Sequence, residues 1–371
     1  MYPSSAASPE ARSVPGFQTV RIERARNLPE PDPRIVDVAI LDMNHAWPNL
    51  GHDSLVKAVG EIALDIEPYL DAAGLAVRVL SYDVRGSAAI PEAPGDRLQL
   101  YVGTGGPGHI DPRRNDGVSP GSQGIVEDPA WEGPLFRLFD AIRSDHSAAL
   151  LAVCHSFGVV CRWLGVARPV LRGPEKGGKS SGVRENVLTG EAASHPWFGR
   201  LAAEVGGAPV SIVDSRLFDL IPEPKPFPPG IVGIAYEASA GGARGEALTM
   251  VEVARDAGGT MPRMLAVNHH PEIRDLPMQR ALLERKLARA EVSPEWCEER
   301  TRTLAEVFSD PETEARVVRT SYYTLLGPLR FHLYRQVRIR AAALGFDGGL
   351  DEEQVVRSVP VVSDPDAGLP S

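Results

Sequence analysis

Two patterns of apolar and polar positions alternate along the middle of the chain. Short apolar runs rich in β-branched residues indicate strands buried on both faces. The strands predicted in this way are 35–42, 75–82, 98–103, 148–153, 210–214, 231–236, 248–254 and 264–267. Apolar residues at helical spacing follow or precede several of these runs, in 54–66, 131–146 and 155–164. The alternation predicts an α/β fold with three layers, in which helices cover both faces of a mostly parallel sheet.

The pattern changes outside this region and predicts the domain organisation. Residues 1–33 are rich in Pro, Ser, Arg and Glu, so we expect a disordered or extended arm before a domain over 34–290. Helical spacing returns within 291–346 and predicts a helical extension, either packed on the core with solvated arginines or docking a subunit or an anionic partner. Residues 347–371 read as an acidic, Pro-containing tail.

Composition and charge narrow the classes of function. Of the 371 residues, 43% are hydrophobic and 24% charged, which is typical of a soluble globular protein. A net charge of -10 argues against a general nucleic-acid binder, because such binding depends on clustered Lys and Arg. The chain shows no apolar run long enough to span a membrane and no secretory signal. Three cysteines without metal-ligand spacing favour a reducing cytoplasm, and we expect neither a metal nor a cofactor.

One predicted strand, 148–153, ends abruptly on Cys154 and leads directly into a helix. Ala152 and Ser156 are small residues two positions before and after it, as a sharp strand-to-helix nucleophile elbow requires. A thiol at this point lies near the positive end of a helix, which favours the thiolate. The alternative is a buried core cysteine, which is a common environment for this residue.

Two further predicted strands are followed by residues that could assist a cysteine nucleophile. Gly105 and Gly106 follow strand 98–103, where their amides can face a ligand oxygen; the loop lacks the Lys-Ser/Thr ending of a nucleotide-binding loop. His270 and Glu272 follow strand 264–267. A thiol nucleophile needs a base, and the base needs a group that orients it, so Cys154, His270 and Glu272 supply a complete set.

Three segments occur in the order in which one enzyme family has them: Gly105-Gly106-Pro107, Ala152-Val153-Cys154-His155-Ser156 and His270-Pro271-Glu272. On these residues the chain resembles the class I glutamine amidotransferase-like family over about 35–290. The resemblance implies the flavodoxin-like amidotransferase fold. It also implies that Cys154 is the nucleophile, His270 the base and then the acid, and Glu272 the orienting carboxylate.

The resemblance carries further implications for the site. Gly105, Gly106 and the amide of His155 would form the oxyanion hole. Asp214-Ser215-Arg216 resembles, more weakly, the segment with which the family holds the amino-acid end of its substrate. The implied reaction releases ammonia from the side-chain amide of glutamine through a γ-glutamyl thioester, for use by a separate synthase subunit.

The elbow departs from the family pattern at three positions. Ala152 and Ser156 stand where glycine is usual, and Gly158 stands where true glutaminases carry a glutamine that contacts the substrate. Two alternatives therefore remain open: a hydrolase or acyltransferase of the same fold acting on another γ-glutamyl or acyl substrate, and a non-catalytic regulatory or binding subunit.

Overall fold

The apolar runs of the chain form the strands of one sheet in the computed structural model, which describes residues 16–350. Its strands are β1 (Phe17–Ile22), β2 (Ile35–Asp42), β3 (Ala76–Asp83), β4 (Leu98–Gly103), β5 (Ala149–Val153), β6 (Ala167–Leu171), β7 (Ser180–Leu188), β8 (Val210–Arg216), β9 (Phe218–Pro222), β10 (Val232–Ala238), β11 (Arg244–Arg255) and β12 (Pro262–Val267). Its helices are α1 (Leu50–Asp65), α2 (Glu67–Ala73), α3 (Val84–Ser87), α4 (Glu132–Ser144), α5 (His155–Leu164), α6 (Gly190–Ala193), α7 (Phe198–Glu204), α8 (Leu276–Ala288), α9 (Pro294–Val307), α10 (Pro311–Ser321) and α11 (Gly327–Ala343).

The central part of the sheet is parallel. Its strands run in the order β1-β3-β2-β4-β5-β12, and each neighbouring pair is parallel. Strands β11, β10, β7 and β8 continue the sheet beyond β12 in antiparallel pairs, while β9 joins β11 and carries β6. The predicted α/β class, with a large and mostly parallel central sheet between helices, is confirmed.

The two faces of the sheet bury different sets of side chains because neighbouring residues of a strand point to opposite faces. In β2, Val38 and Ile40 belong to a core cluster with α1 and α11, whereas Ala39 and Leu41 belong to a second cluster with α4 and α5. The helices thus form one layer on each face.

The folded region begins earlier than the sequence suggested. Phe17–Ile22, part of the arm expected over residues 1–33, form an edge strand that pairs in parallel with Val77–Tyr82. Only Ile22 of this strand is fully buried, so it lacks the apolar run that identifies an inner strand. Residues 1–15, and the predicted tail from residue 351 onward, lie outside the described residues.

The helices predicted as an extension over 291–346 are packed into the sheet domain. Tyr322 and Tyr323, in a π-helical turn between α10 and α11, contact the buried Trp197 ring. Leu329 and Leu333 of α11 are completely buried in the same cluster as the central strands. Helix α11 is therefore part of one covering layer, which a sequence pattern without long-range contacts does not reveal. Within residues 16–350, none of the helices combines the length and apolar character needed to cross a membrane.

This packing predicts that Leu333→Ala destabilises the whole domain. Removal of a fully buried leucine leaves a cavity and costs about 2–5 kcal/mol of the free energy of unfolding, measured by urea denaturation. Ile339→Ala in the same helix is the matched control, because Ile339 is 46% exposed, and we expect a change below about 1 kcal/mol. Equal effects of the two substitutions would contradict the assignment of α11 to the core.

Candidate active site

The pairing of β5 with β12 brings two of the predicted site residues to the same edge of the sheet. Val153 lies opposite Val267, and the Cys154 amide donates to the Val267 carbonyl at 2.8 Å. Cys154 directly follows β5, and His270 lies three residues beyond the end of β12. Both residues therefore lie just beyond the carboxyl ends of adjacent parallel strands.

Cys154 adopts the sharp backbone turn expected of an elbow. Its φ of 51° and ψ of -102° are uncommon for a residue with a side chain, and such geometry persists only where the surroundings enforce it. Here the Ser156 hydroxyl and amide both donate to the Thr104 carbonyl, at 2.7 and 3.3 Å. A Cβ on Gly103 would lie 2.5 Å from the Ser156 hydroxyl oxygen, so the elbow and β4 fit together without room to spare. Helix α5 starts at His155 and directs its positive end toward the thiol.

Cys154, His270 and Glu272 lie close together at this edge of the sheet. His270 Nδ1 lies 2.8 Å from Oε1 of the fully buried Glu272, and the His270 ring and the Cys154 sulfur both lie against Gly105. Burial lowers the pKa of His270, but the negative charges of Cys154 and Glu272 outweigh burial and raise this pKa well above its usual range. The arrangement favours the imidazolium form of His270.

The Glu272 carboxylate lies against the first turn of α1. A Cβ on Gly51, the second residue of that helix, would lie 2.6 Å from Glu272 Oε1. The positive end of the helix stabilises a carboxylate at this distance, and the absence of a side chain at Gly51 gives it room. Asn49 caps the same turn by accepting a hydrogen bond from the Gly51 amide.

The glycine turn after β4 lies against the nucleophile. A Cβ on Gly105 would lie 3.1 Å from His270 Cε1 and 3.6 Å from Cys154 Sγ. The Thr104 hydroxyl donates to the Gly105 carbonyl at 2.8 Å and accepts from the Met43 amide at 2.9 Å. Because C=O and N–H of a trans peptide point in opposite directions, this hydroxyl fixes the Gly105–Gly106 peptide with the Gly106 N–H on the side away from Thr104.

The buried ion pair of Arg85 and Glu127 stabilises the same glycine turn. Arg85 donates to the carbonyls of Met43 and Pro107, at 2.8 and 2.7 Å, and pairs with Glu127, with both charged side chains fully shielded from solvent. Glu127 also accepts from Asn115 at 2.6 Å and from Trp131 at 3.0 Å. The network fixes the loop that follows the glycine turn.

The third predicted oxyanion residue, His155, is buried beside this turn and lines the cleft above Cys154. Burial, assisted by the nearby Arg85 charge, lowers the pKa of its imidazole well below the usual range, so the ring is neutral. His269, which precedes His270 in the chain, hydrogen-bonds to Thr324 at 3.0 Å, and burial lowers its pKa to about 3. Cys161 is completely buried.

A backbone hydrogen bond places the segment Asp214-Ser215-Arg216 next to His270. The His270 amide donates to the Val213 carbonyl at 2.8 Å, which places the end of β8 beside the base. Ser215 and Arg216 line the same cleft as Cys154, whereas the buried Asp214 lines an adjoining one. Arg216 is surrounded by acids: it pairs with Asp219 at 3.1 Å, with Asp214 at 3.4 Å and with Glu237.

The side chain of Ile110 packs directly against Gly158. A Cβ there would lie 2.6 Å from Ile110 Cδ1, so Ile110 fills the space over the helix turn. Ile110 also lines the cleft, together with Leu217 and Leu220. The position at which the family resemblance implies a substrate-contacting glutamine is thus covered by an apolar wall.

Several solved structures are similar to this one. A glutamine amido transferase from Methylobacillus flagellatus has 12% sequence identity and a TM-score of 0.43, and the match covers 85% of this chain and 98% of that one. The glutaminase domain of a Trypanosoma brucei CTPS has 11% identity and a TM-score of 0.38, over 66% and 89% of the two chains. A putative GMP synthase component from Thermoplasma acidophilum has 15% identity and a TM-score of 0.35, over 63% and 84%. No protein-family model and no curated protein sequence matches this chain.

The contact of Gly51 with Glu272 predicts that Gly51→Ala weakens the base. The added methyl group displaces the carboxylate, and loss of this nearby negative charge lowers the pKa of His270. Nitrogen NMR of histidine-labelled protein measures the titration midpoint of His270. Gly133→Ala is the matched control, because Gly133 is the second residue of α4 and its Cβ would meet only the end of Arg137, at 3.7 Å. An unchanged midpoint in Gly51→Ala would contradict the positioning role.

The hydrogen bond from the Thr104 hydroxyl to the Gly105 carbonyl leads to a second prediction, which concerns the turnover number. Thr104→Val keeps the shape but removes the donor to the Gly105 carbonyl, so we expect kcat to fall about 10- to 100-fold with little change in KM, since oxyanion stabilisation acts in the transition state. Thr104→Ser restores the hydroxyl and should recover most of the activity. Equal kcat in the valine and serine variants would show that the hydroxyl does not position the turn.

Proposed function

We propose that this protein is a cysteine-nucleophile amidohydrolase of the glutamine amidotransferase-like kind, which releases ammonia from the side-chain amide of glutamine. The main support is the grouping of Cys154, His270 and Glu272, in which His270 Nδ1 lies 2.8 Å from Glu272 Oε1 and the nearby negative charges raise the pKa of the imidazole. In the proposed starting state, a protonated His270 lies beside the Cys154 thiolate, which attacks an acyl carbon.

The proposed first half-reaction forms a thioester. The Cys154 thiolate attacks the amide carbon, and the carbonyl π electrons move onto oxygen. The His270 imidazolium then gives its proton to the amide nitrogen, the carbon–nitrogen bond breaks, and ammonia leaves. Glu272 holds His270 in the required orientation through Nδ1 and stabilises its positive charge.

The second half-reaction returns the enzyme to its starting state. Neutral His270 takes a proton from water, the resulting hydroxide attacks the thioester, and the carbon–sulfur bond breaks. Glutamate leaves, and the thiolate is again paired with the imidazolium. The negative oxygen of both tetrahedral intermediates would be stabilised by the backbone amides of the Gly105-Gly106 turn and of His155, with the turn held in place by Thr104 and Arg85.

The released ammonia would be used by a separate synthase subunit, and the enzyme would act in the cytoplasm on a small-molecule substrate. Asp214, Ser215 and Arg216 are the proposed contacts to the amino-acid end of that substrate. Their support is the position of Ser215 and Arg216 in the cleft above Cys154.

One observation favours a second candidate, a hydrolase or acyltransferase for another γ-glutamyl or acyl substrate. Ile110 covers Gly158, so the cleft offers an apolar wall in place of an amide at this point. An apolar wall suits an acyl chain better than the polar carboxamide of glutamine.

The proposal predicts that the purified protein releases ammonia from glutamine, and that Cys154→Ser and His270→Ala each reduce the rate at least about 1,000-fold. An enzyme-coupled ammonia assay measures the rate, and Cys161→Ser, at a buried thiol away from the cleft, is the control. Hydrolysis of other γ-glutamyl amides but not of glutamine would favour the second candidate. Turnover that survives Cys154→Ser would contradict both candidates.

A further inference from the structure

The cleft above Cys154 is lined by cations without carboxylates. Among the described residues, the Lys and Arg side chains that line it are Lys179, Arg216 and Arg300, and no Asp or Glu joins them. This is unusual for a chain of net charge -10. The positive charge must therefore be concentrated locally by the fold.

Two of the three cations lack an ion-pair partner. Arg216 is neutralised by Asp219, Asp214 and Glu237. In contrast, Lys179 and Arg300 form no salt bridge with any residue of the described range 16–350; Arg300 lies 5.5 Å from the centre of the Trp296 ring. Lys179 is exposed and lines the wall of the cleft.

The two free cations come from distant parts of the chain and act on each other. Lys179 immediately precedes β7, and Arg300 lies on α9, which packs against β7. Burial lowers the pKa of Lys179, the nearby Arg300 charge lowers it further, and the charges of Cys154, Glu299 and Asp214 oppose this only in part. Two like charges that face one cleft destabilise the empty protein and favour binding of an anion.

We propose that Lys179 and Arg300 form a binding site for an anionic group, carboxylate or phosphate, of the substrate whose carbonyl Cys154 attacks. The proposal rests on the proposed function for the position of the reacting carbon. The lining of the cleft combines the Cys154 nucleophile, apolar side chains such as Ile110 and Leu217, and the two cations. Such a cleft suits an acyl compound with an anionic end.

Two small alkylating reagents test this site without a known substrate. Iodoacetate and iodoacetamide both alkylate a thiolate and differ mainly in the negative charge of iodoacetate. The rate of modification of the Cys154 peptide, followed by mass spectrometry, gives the ratio of the two reagents. We expect this ratio to fall about threefold in Lys179→Gln and in Arg300→Gln, and about tenfold in the double variant, since each removed charge lies within the same cleft. Added salt should reduce the wild-type ratio.

Lys57→Gln is the control, because Lys57 is an exposed lysine on α1 that pairs with Glu61. A ratio unchanged in the double variant, and equal to that of the control, would overturn the proposal.

Calorimetric titration with glutarate and with inorganic phosphate tests the same site without any chemistry at Cys154. Binding of either ligand that is lost in the double variant supports the proposal, and the tighter ligand identifies carboxylate or phosphate as the natural group. Binding of neither ligand would count against the site. If Cys154 resists both alkylating reagents while anions still bind, the proposed function fails and the anion site stands.

Discussion

The in-register parallel pairing of β5 with β12 is the constraint on which the site depends. It fixes the distance between Cys154 and the strand that leads to His270, and it uses the Cys154 amide itself in a hydrogen bond to Val267. On the other side of β5, β4 delivers Thr104 and the glycine turn. Three neighbouring strands therefore contribute the proposed nucleophile, the proposed base and the proposed oxyanion donors from one edge of the sheet, where α/β folds usually carry their sites.

Buried charges keep these three segments in place. Arg85 and Glu127 are fully shielded from solvent and connect the glycine turn to the loop that follows it. Glu272 is held between His270 and the first turn of α1. A buried charge is tolerated only when partners surround it, so each of these groups fixes the geometry of its neighbours.

Inner strands were predictable from the sequence because they are buried on both faces and leave an unbroken apolar run. Strand β2 has the predicted bounds 35–42. Strands β1, β6 and β7 were missed because they expose many of their side chains and carry no such run. Cys154, His270 and Glu272 could be predicted as site residues because each follows a strand with a distinctive local pattern, and the structure brings them close together. Thr104, Arg85, Lys179 and Arg300 carry no local signal: their roles come from contacts with residues far away in the chain.

The most direct test of the account is covalent capture of the nucleophile by a glutamine-like electrophile such as its chloroketone analogue, followed by mass spectrometry of the intact protein and its peptides. The account predicts one adduct per chain, on Cys154, which forms much more slowly in His270→Ala. Absence of an adduct on Cys154, or equal modification of the partly exposed Cys297, would contradict the claim that Cys154 is the activated thiol of this protein.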